Sequence, residues 1–593
     1  MTAQPSTPVP RPASPEPTAP DPVSSTVSSS ASSSAPSAAP AGEAAPAGEA
    51  AATGRAATGG AATGPVSTSP VTAVVAPDGH DGAPAPRWAR FGSPPRRPLL
   101  LGLGASLLML VGGFGAGGVL VRDPWLTNSP IGFWRYGHGS ELATALVYIG
   151  VALLAWAWVQ LGREVIAGRV GGRAVLTTAA VWLVPMLVTP PLFTRDVFSY
   201  LAQGALPLHG FDPYAVGPEV MPGVFTDNVH YFWQDTPAPY GPLFILLAKG
   251  TAAAVGGNVI AGVILMRLVL CIGLVLLVWA LPELTRRMGG RIPVALWVAV
   301  ANPVMIVHMV GGGHNDLLVM GLLAVGALYA LRGRPVIAIV LVTAAMAVKA
   351  SAAVALPFVV LVWAAQMPGP SRTVRILKAT AAGVGVFAVT FALITVAAQV
   401  NLGWLPALSA PSMIVNWLSL PTGAGELVHW VLNLVFNLPK QPFINIARIV
   451  GGLLLLWIGV KQWLAARDGG PDALRRAGIV LLAVAVLSPA TLPWYLSWGI
   501  ALLAMTAWTP KALSWLVFVS LWLVIVYYPN GEAALYNWGY LAGCALVCGL
   551  AAWSLLHPDP LRLRRRKDPA AGGTSTTSAD DALTAAGAGQ RQG

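Results

Sequence analysis

The stretches 99–120, 268–281 and 379–400 are predominantly apolar and carry no charged residue. The longer ones approach the roughly 20 residues that a helix needs to cross a bilayer core. In lipid a backbone must satisfy its own hydrogen bonds, which leaves helices and closed barrels as spanning structures. Barrel strands alternate apolar and polar residues over about ten positions, and these stretches do not alternate. The expectation is an all-α polytopic membrane protein. Composition agrees: 10% of the 593 residues are charged, against about a quarter in soluble domains.

Hydropathy and charge bias divide the core, 97–556, into about fourteen expected spans. They cover 99–121, 142–161, 174–193, 259–284, 292–310, 316–331, 335–351, 353–365, 379–400, 444–466, 479–493, 496–508, 515–528 and 535–555. The apolar piece 242–255 is expected as a helix on the outer face. Basic residues gather between spans, as in Arg163, Arg169 and Arg173, then Arg286, Arg287 and Arg291, then Arg332 and Arg334, then Arg372, Arg375 and Lys378. The positive-inside rule makes those loops cytoplasmic and predicts a plasma-membrane protein with both termini inside. It also accounts for much of the net charge of +12, so no nucleic-acid partner is implied. The three cysteines lie within apolar stretches, as small hydrophobic residues do.

Residues 1–96 are rich in Ala, Pro, Ser, Thr and Gly without apolar periodicity, and 557–593 open with the basic run Arg562 to Lys567 before turning polar. Neither tail carries enough apolar surface to offset chain entropy, so both are expected to be disordered and cytoplasmic. The N-terminal segment lacks the charged start and short apolar core of a signal peptide.

In this topology the outer face holds most acidic residues of the core, among them Asp123, Asp196, Asp212, Asp316 and Glu532. Acidic residues contribute little to orientation, so topology alone does not require them there. Two outer segments stand out: 194–241, rich in aromatics and prolines, and 401–442. Arg195 and Asp196 open the first, at the start of an apparent helix on which Asp196, Ser199 and Tyr200 share a face. A helix cap with a surface ion pair is the plain alternative. His314, Asn315 and Asp316 form a second cluster where the chain re-enters the membrane. Ionisable groups at that depth are costly and often functional, although an interfacial cap also fits. Lys349 can meet a phosphate as a point charge or snorkel to lipid headgroups. His314 and Asp316 alone supply too few ligands for a metal, and no Gly-rich nucleotide loop is present.

The run Arg195-Asp-Val-Phe-Ser-Tyr-Leu-Ala-Gln-Gly204, followed by Gly210-Phe-Asp-Pro-Tyr214, resembles the polyprenol-phosphomannose-dependent α-(1→6)-mannosyltransferases of actinobacteria. Thr236-Pro-Ala-Pro-Tyr-Gly-Pro242, Asn302-Pro303, Gly313-His-Asn-Asp316, Ala347-Val-Lys349 and Pro493-Trp-Tyr-Leu-Ser-Trp498 extend the likeness in order, over roughly 98–556. The resemblance implies a GT-C-type glycosyltransferase fold, a polyprenyl-phosphate-mannose donor on the extracytoplasmic face and an α-(1→6)-mannan glycolipid acceptor of lipomannan type. Membrane lipid is a further partner, and no metal or cofactor is implied.

GT-C enzymes carry a catalytic acidic residue in an early outer loop. Asp196 occupies that place, with Asp123 as its rival. An acceptor hydroxyl activated by Asp196 would invert the anomeric centre, and one general base suffices because the leaving phosphate needs no proton. Arg195 and Lys349 would stabilise that phosphate. Tyr200, Asp212, Tyr214, Tyr240, His314, Asn315, Asp316, Trp494 and Tyr495 would contact or position the sugars. A flippase of polyprenyl-linked glycans is the competing class, though no inverted repeat is visible in the sequence. Transfer of another sugar such as arabinose is a further alternative.

Overall fold

A computed structural model describes residues 93–558. The tails read as disordered fall outside these residues, except for a few positions at their inner edges. The described residues form helices throughout, and their one β-bridge joins Tyr527 to Ala533. The helices are α1 Arg96–Ala116, α2 Gly137–Ile166, α3 Gly172–Val188, α4 Asp196–Ala205, α5 Pro242–Val255, α6 Val259–Met288, α7 Ile292–Ala299, α8 Asp316–Leu331 and α9 Pro335–Val348. They continue with α10 Leu356–Gln366, α11 Arg372–Ala398, α12 Trp404–Ala407, α13 Leu420–Asn433, α14 Gln441–Ala465, α15 Gly470–Leu487, α16 Leu496–Leu503, α17 Pro510–Ile525 and α18 Trp538–Leu556.

Local sequence explains many of the boundaries. Proline opens α5, α9 and α17 at the position where its missing N–H costs no hydrogen bond. The side chains of Asn258, Ser371, Ser419, Thr509 and Asn537 accept from backbone N–H groups at the starts of α6, α11, α13, α17 and α18. A residue in the left-handed region, Gly289 at φ 77°, ends α6.

Every expected span coincides with a helix or a bent pair, but length separates them into two kinds. Six helices, α1, α2, α6, α11, α14 and α18, are long and apolar enough to cross a membrane. A seventh crossing results if α7 and the π-helical turn Val304–Gly313, bent by 47°, count as one. Further apolar helices, including α3, α8, α9 and α17, have 10–17 residues. At about 1.5 Å per residue these fall short of a bilayer core of about 30 Å. The long helices are the more peripheral: the apolar windows of α11 and α14 are only 11% buried, whereas nearly all of α8 is buried.

Small residues let the central helices approach closely. A Cβ at Gly273 of α6 would collide with the backbone of Leu317 and Leu318, and one at Gly321 of α8 with the backbone of Gly273. This contact sets the amino end of α8, and with it His314 to Asp316, beside α4.

The helical body has two chemically distinct ends. At one end Arg291 donates to the carbonyls of Val165 and Ile166, and Glu283 pairs with Arg287 and Arg332. At the other end the segments 119–135, 194–241, 401–419 and 527–537 meet above the starts of α4, α6 and α8.

Candidate active site

Helix α4 is short and almost wholly buried, yet it carries a polar stripe. Asp196, Ser199 and Gln203 are spaced i, i+3 and i+7, so they lie on one helix face. All three line one cavity, together with Trp233, Tyr240, Lys349, Trp494, Tyr495 and Trp498. With its mouth the cavity encloses about 790 Å³. The Ser199 hydroxyl and the Gln203 carbonyl oxygen are buried and have no protein partner. A buried polar group left without a partner costs about 1–3 kcal/mol, so folding alone gives no reason for this stripe.

Asp196 is the first residue of α4, and its N–H donates to Thr194 Oγ1 at 3.1 Å. A helix amino terminus favours a carboxylate. Burial outweighs that and raises the Asp196 pKa to about 6, with Lys349 and Thr194 opposing the rise and Asp316 adding to it. The side chain remains 19% exposed and therefore accessible from the cavity. Its Oδ2 lies 3.5 Å from His314 Nδ1 without an aligned hydrogen bond.

Asp316 opens α8 with no exposed surface. Lys349 Nζ donates to both of its oxygens, at 2.9 and 2.8 Å, and the Trp498 indole N–H donates to Oδ1. Lys349 can reach because its backbone is extended where α9 ends, before the turn Ala350–Ala355 begins. Its ammonium sits 4.8 Å from the Tyr495 ring centroid and 5.5 Å from that of Trp498. Those two rings stack at 4.2 Å. The His314 ring stacks on Trp494 at 3.6 Å. Asn315 is fully buried, and neither end of its amide has a protein partner.

Arg195 faces a second cavity of about 900 Å³, lined also by His230, Tyr231, Phe232, Trp233 and Glu532. Its guanidinium donates to the carbonyls of Asn228 at 3.0 Å and Val119 at 3.2 Å, and lies over the Phe198 ring. Among the described residues it has no carboxylate partner within ion-pair distance. His230 Nε2 and Glu532 Oε1 are 3.4 Å apart on the same wall. The two cavities share Asp196, Trp233, Ile414, Leu492 and Trp494. Asp196 therefore stands at the junction of both.

The structure thus brings Asp196, Arg195, Lys349, Tyr240, His314, Asp316, Trp494 and Tyr495 into one region. Tyr200 stands behind the wall, where its ring meets Tyr240 at 5.3 Å and Phe244 at 4.8 Å. Asp212 and Tyr214, expected at the sugar, line neither cavity. Asp212 accepts from the Tyr214 N–H at 2.9 Å and from Asn401 Nδ2 at 2.6 Å, which ties the 194–241 segment to the 401–442 segment. Tyr214 packs with Ala238, Ile245 and Trp404. The rival base Asp123 accepts from the backbone N–H groups of Trp125 and Leu126, so it caps its own turn, and it lines neither cavity. Arg267, also within apolar sequence, donates to the carbonyls of Leu187, Thr189 and Gly311 and serves as a clamp.

Sequence reasoning missed Gln203 and His230 as lining residues, and singled out Glu532 only as one of many outer-face carboxylates. The i, i+3, i+7 spacing from Asp196 could have identified Gln203. No local signal marks Glu532, which arrives from more than 300 positions away. Among the described residues, no three His, Cys, Asp or Glu side chains converge as metal ligands.

Residues 99–365 match the family model described as "Alpha-(1->6)-mannopyranosyltransferase, N-terminal domain", and 421–557 match "MptB C-terminal domain". The chain is similar to alpha-(1->6)-mannopyranosyltransferase A of Mycobacterium tuberculosis, 40% identical over 78% of this chain and 90% of that protein. It is 32% identical to alpha-(1->6)-mannopyranosyltransferase A of Corynebacterium glutamicum, over 75% of this chain and 95% of that one. A probable alpha-(1->6)-mannopyranosyltransferase of Mycolicibacterium smegmatis is 33% identical over 68% of this chain and 78% of its own length.

Proposed function

Because the chain belongs to the α-(1→6)-mannopyranosyltransferase family and is a mannosyltransferase, we propose that it moves mannose from polyprenyl-phosphate-mannose to an α-(1→6)-mannan acceptor of lipomannan type. The observation that carries this reading is the place of Asp196 between two cavities, with a pKa near 6. Such a group is ionised at neutral pH and still basic enough to accept a proton in the transition state. The acceptor 6-hydroxyl oxygen attacks the anomeric carbon from the face opposite the phosphate. Its proton passes to Asp196, the anomeric C–O bond breaks, and the electron pair leaves with the lipid phosphate. The configuration inverts, from β in the donor to α in the product.

Arg195 and Lys349 were the cations expected at the phosphate, and geometry favours Arg195. Lys349 already faces both oxygens of Asp316, whereas the partners of Arg195 are neutral carbonyls. Lys349 then holds Asp316 in place beside the reacting groups.

The proposed setting is a GT-C-type fold of about fourteen membrane segments, with the short apolar helices completing the count. The site end faces the extracytoplasmic side and both termini the cytoplasm. The arginines gathered at the opposite end support that orientation.

Asp196→Asn tests the assignment. In membranes supplied with labelled lipid-linked mannose and a defined α-(1→6)-mannoside, transfer should fall by about 10²–10⁴-fold, the usual worth of a general base, at unchanged protein level. Near-normal transfer would move the base to another carboxylate.

A further inference from the structure

We infer that the cavity on the Lys349 side of Asp196 is a pyranose subsite in which Ser199 and Gln203 bind sugar hydroxyls. This rests on the reading of the chain as a sugar transferase with Asp196 as base, and adds two substrate-contacting residues to it. Three observations converge. Ser199 and Gln203 are 4% and 3% exposed, and their Oγ and Oε1 atoms have no protein partner. Both share the α4 face and the cavity with Asp196. Aromatic rings, those of Tyr240, Trp494, Tyr495 and Trp498, line the same cavity.

Charge decides which ligand chemistry fits. The ionised groups around this cavity are Asp196, Asp316 and Lys349, and Lys349 is bound to Asp316 through both oxygens. A phosphate entering here would meet one carboxylate with no free cation to offset it. A neutral polyol meets no such penalty. A hydroxyl donates to the Gln203 carbonyl and exchanges a hydrogen bond with Ser199, both neutral groups. Aromatic faces cover the apolar C–H surface of a pyranose, and a residue bearing a hydroxyl and an apolar face needs both kinds of wall. The cavity that contains Arg195 is also lined by Asp196 and Glu532, but its guanidinium is bound only to neutral carbonyls and offers directional N–H donors that match phosphate oxygens, so the donor phosphate is assigned to that side. The ring on the Lys349 side is accordingly the terminal mannose of the acceptor, with its 6-hydroxyl directed at Asp196.

Ser199→Ala and Gln203→Leu, made in the full-length enzyme in detergent, test the inference. Each should raise the acceptor KM at least tenfold and leave the donor KM within twofold. A selective rise in the donor KM would keep the pyranose subsite and assign it to the donor sugar. Unchanged KM values for both substrates in Ser199→Ala, the variant that removes a single oxygen, would overturn it. A second measurement needs no donor. Saturation-transfer NMR with α-(1→6)-mannobiose should show binding to the wild-type protein and loss of it in both variants, and signal retained in both would also overturn the subsite. If wild-type protein binds mannobiose but transfers no mannose from the lipid donor, the donor assignment fails while the subsite stands.

Discussion

The two ends of the helical body use charge in opposite ways. At the basic end, Glu283 pairs with Arg287 and Arg332, Arg372 with Asp468, and Asp472 with Arg475 and Arg476. These pairs are at least partly open to solvent, and such pairs contribute about 0–1 kcal/mol each. At the site end, Asp316 and Lys349 pair with 0% and 14% of their side chains exposed. Desolvating two charges costs several kcal/mol, and the pair recovers this only through tight geometry and added hydrogen bonds such as that from Trp498. Stability does not explain a charge pair placed there, since apolar residues of similar volume would serve as well or better. The contrast separates partly exposed pairs at the arginine-rich end from a buried pair beside Asp196.

Breaking one partner of each pair should expose the difference. Lys349→Met leaves Asp316 buried and uncompensated, and should cost about 3–5 kcal/mol, read as a large drop in melting temperature in detergent. Combining it with Asp316→Asn should restore most of that stability without restoring transfer. If the single variant melts normally, the pair is not buried in the way described.

A smaller effect is expected from pH. Asp196 must be ionised to act as base, and burial holds its pKa near 6. The acceptor kcat/KM should therefore be level above that value and fall about tenfold per pH unit below it. A profile flat down to pH 4.5 would remove Asp196 from the rate equation.

The smallest effect belongs to the basic end. Glu283→Gln should change stability by no more than about 1 kcal/mol and leave transfer rates as in the wild type. A strong loss of activity there would erase the division between the two ends.

How much of this was legible in sequence differs from helix to helix. The bounds of α5 and α8 follow from local signals: Pro242 opens one, and Asp316 followed by an unbroken apolar run opens the other. The expected span 335–351 ran past the true end of its helix, because the small and apolar residues on either side of Lys349 continue the run. In the structure the helix stops at Val348 so that Lys349 can turn to Asp316. The count of spans was read from apolar runs, but hydropathy does not distinguish a helix that faces lipid from one as buried as α8.

By itself the sequence determined that the chain would form apolar helices, where most of them begin, and that polar residues gather at 194–204 and 313–316. These properties depend on neighbours within a turn or two, so local composition suffices. Only the tertiary structure decided that Asp196 stands between two cavities, that Lys349 is held by Asp316, and that Asp212 braces a loop instead of lining the site. Lys349 meets Asp316 across 33 positions and Asn401 meets Asp212 across 189, while Trp494 and Glu532 reach Asp196 from still farther along the chain, and close packing through Gly273 and Gly321 sets those distances where periodicity has no reach.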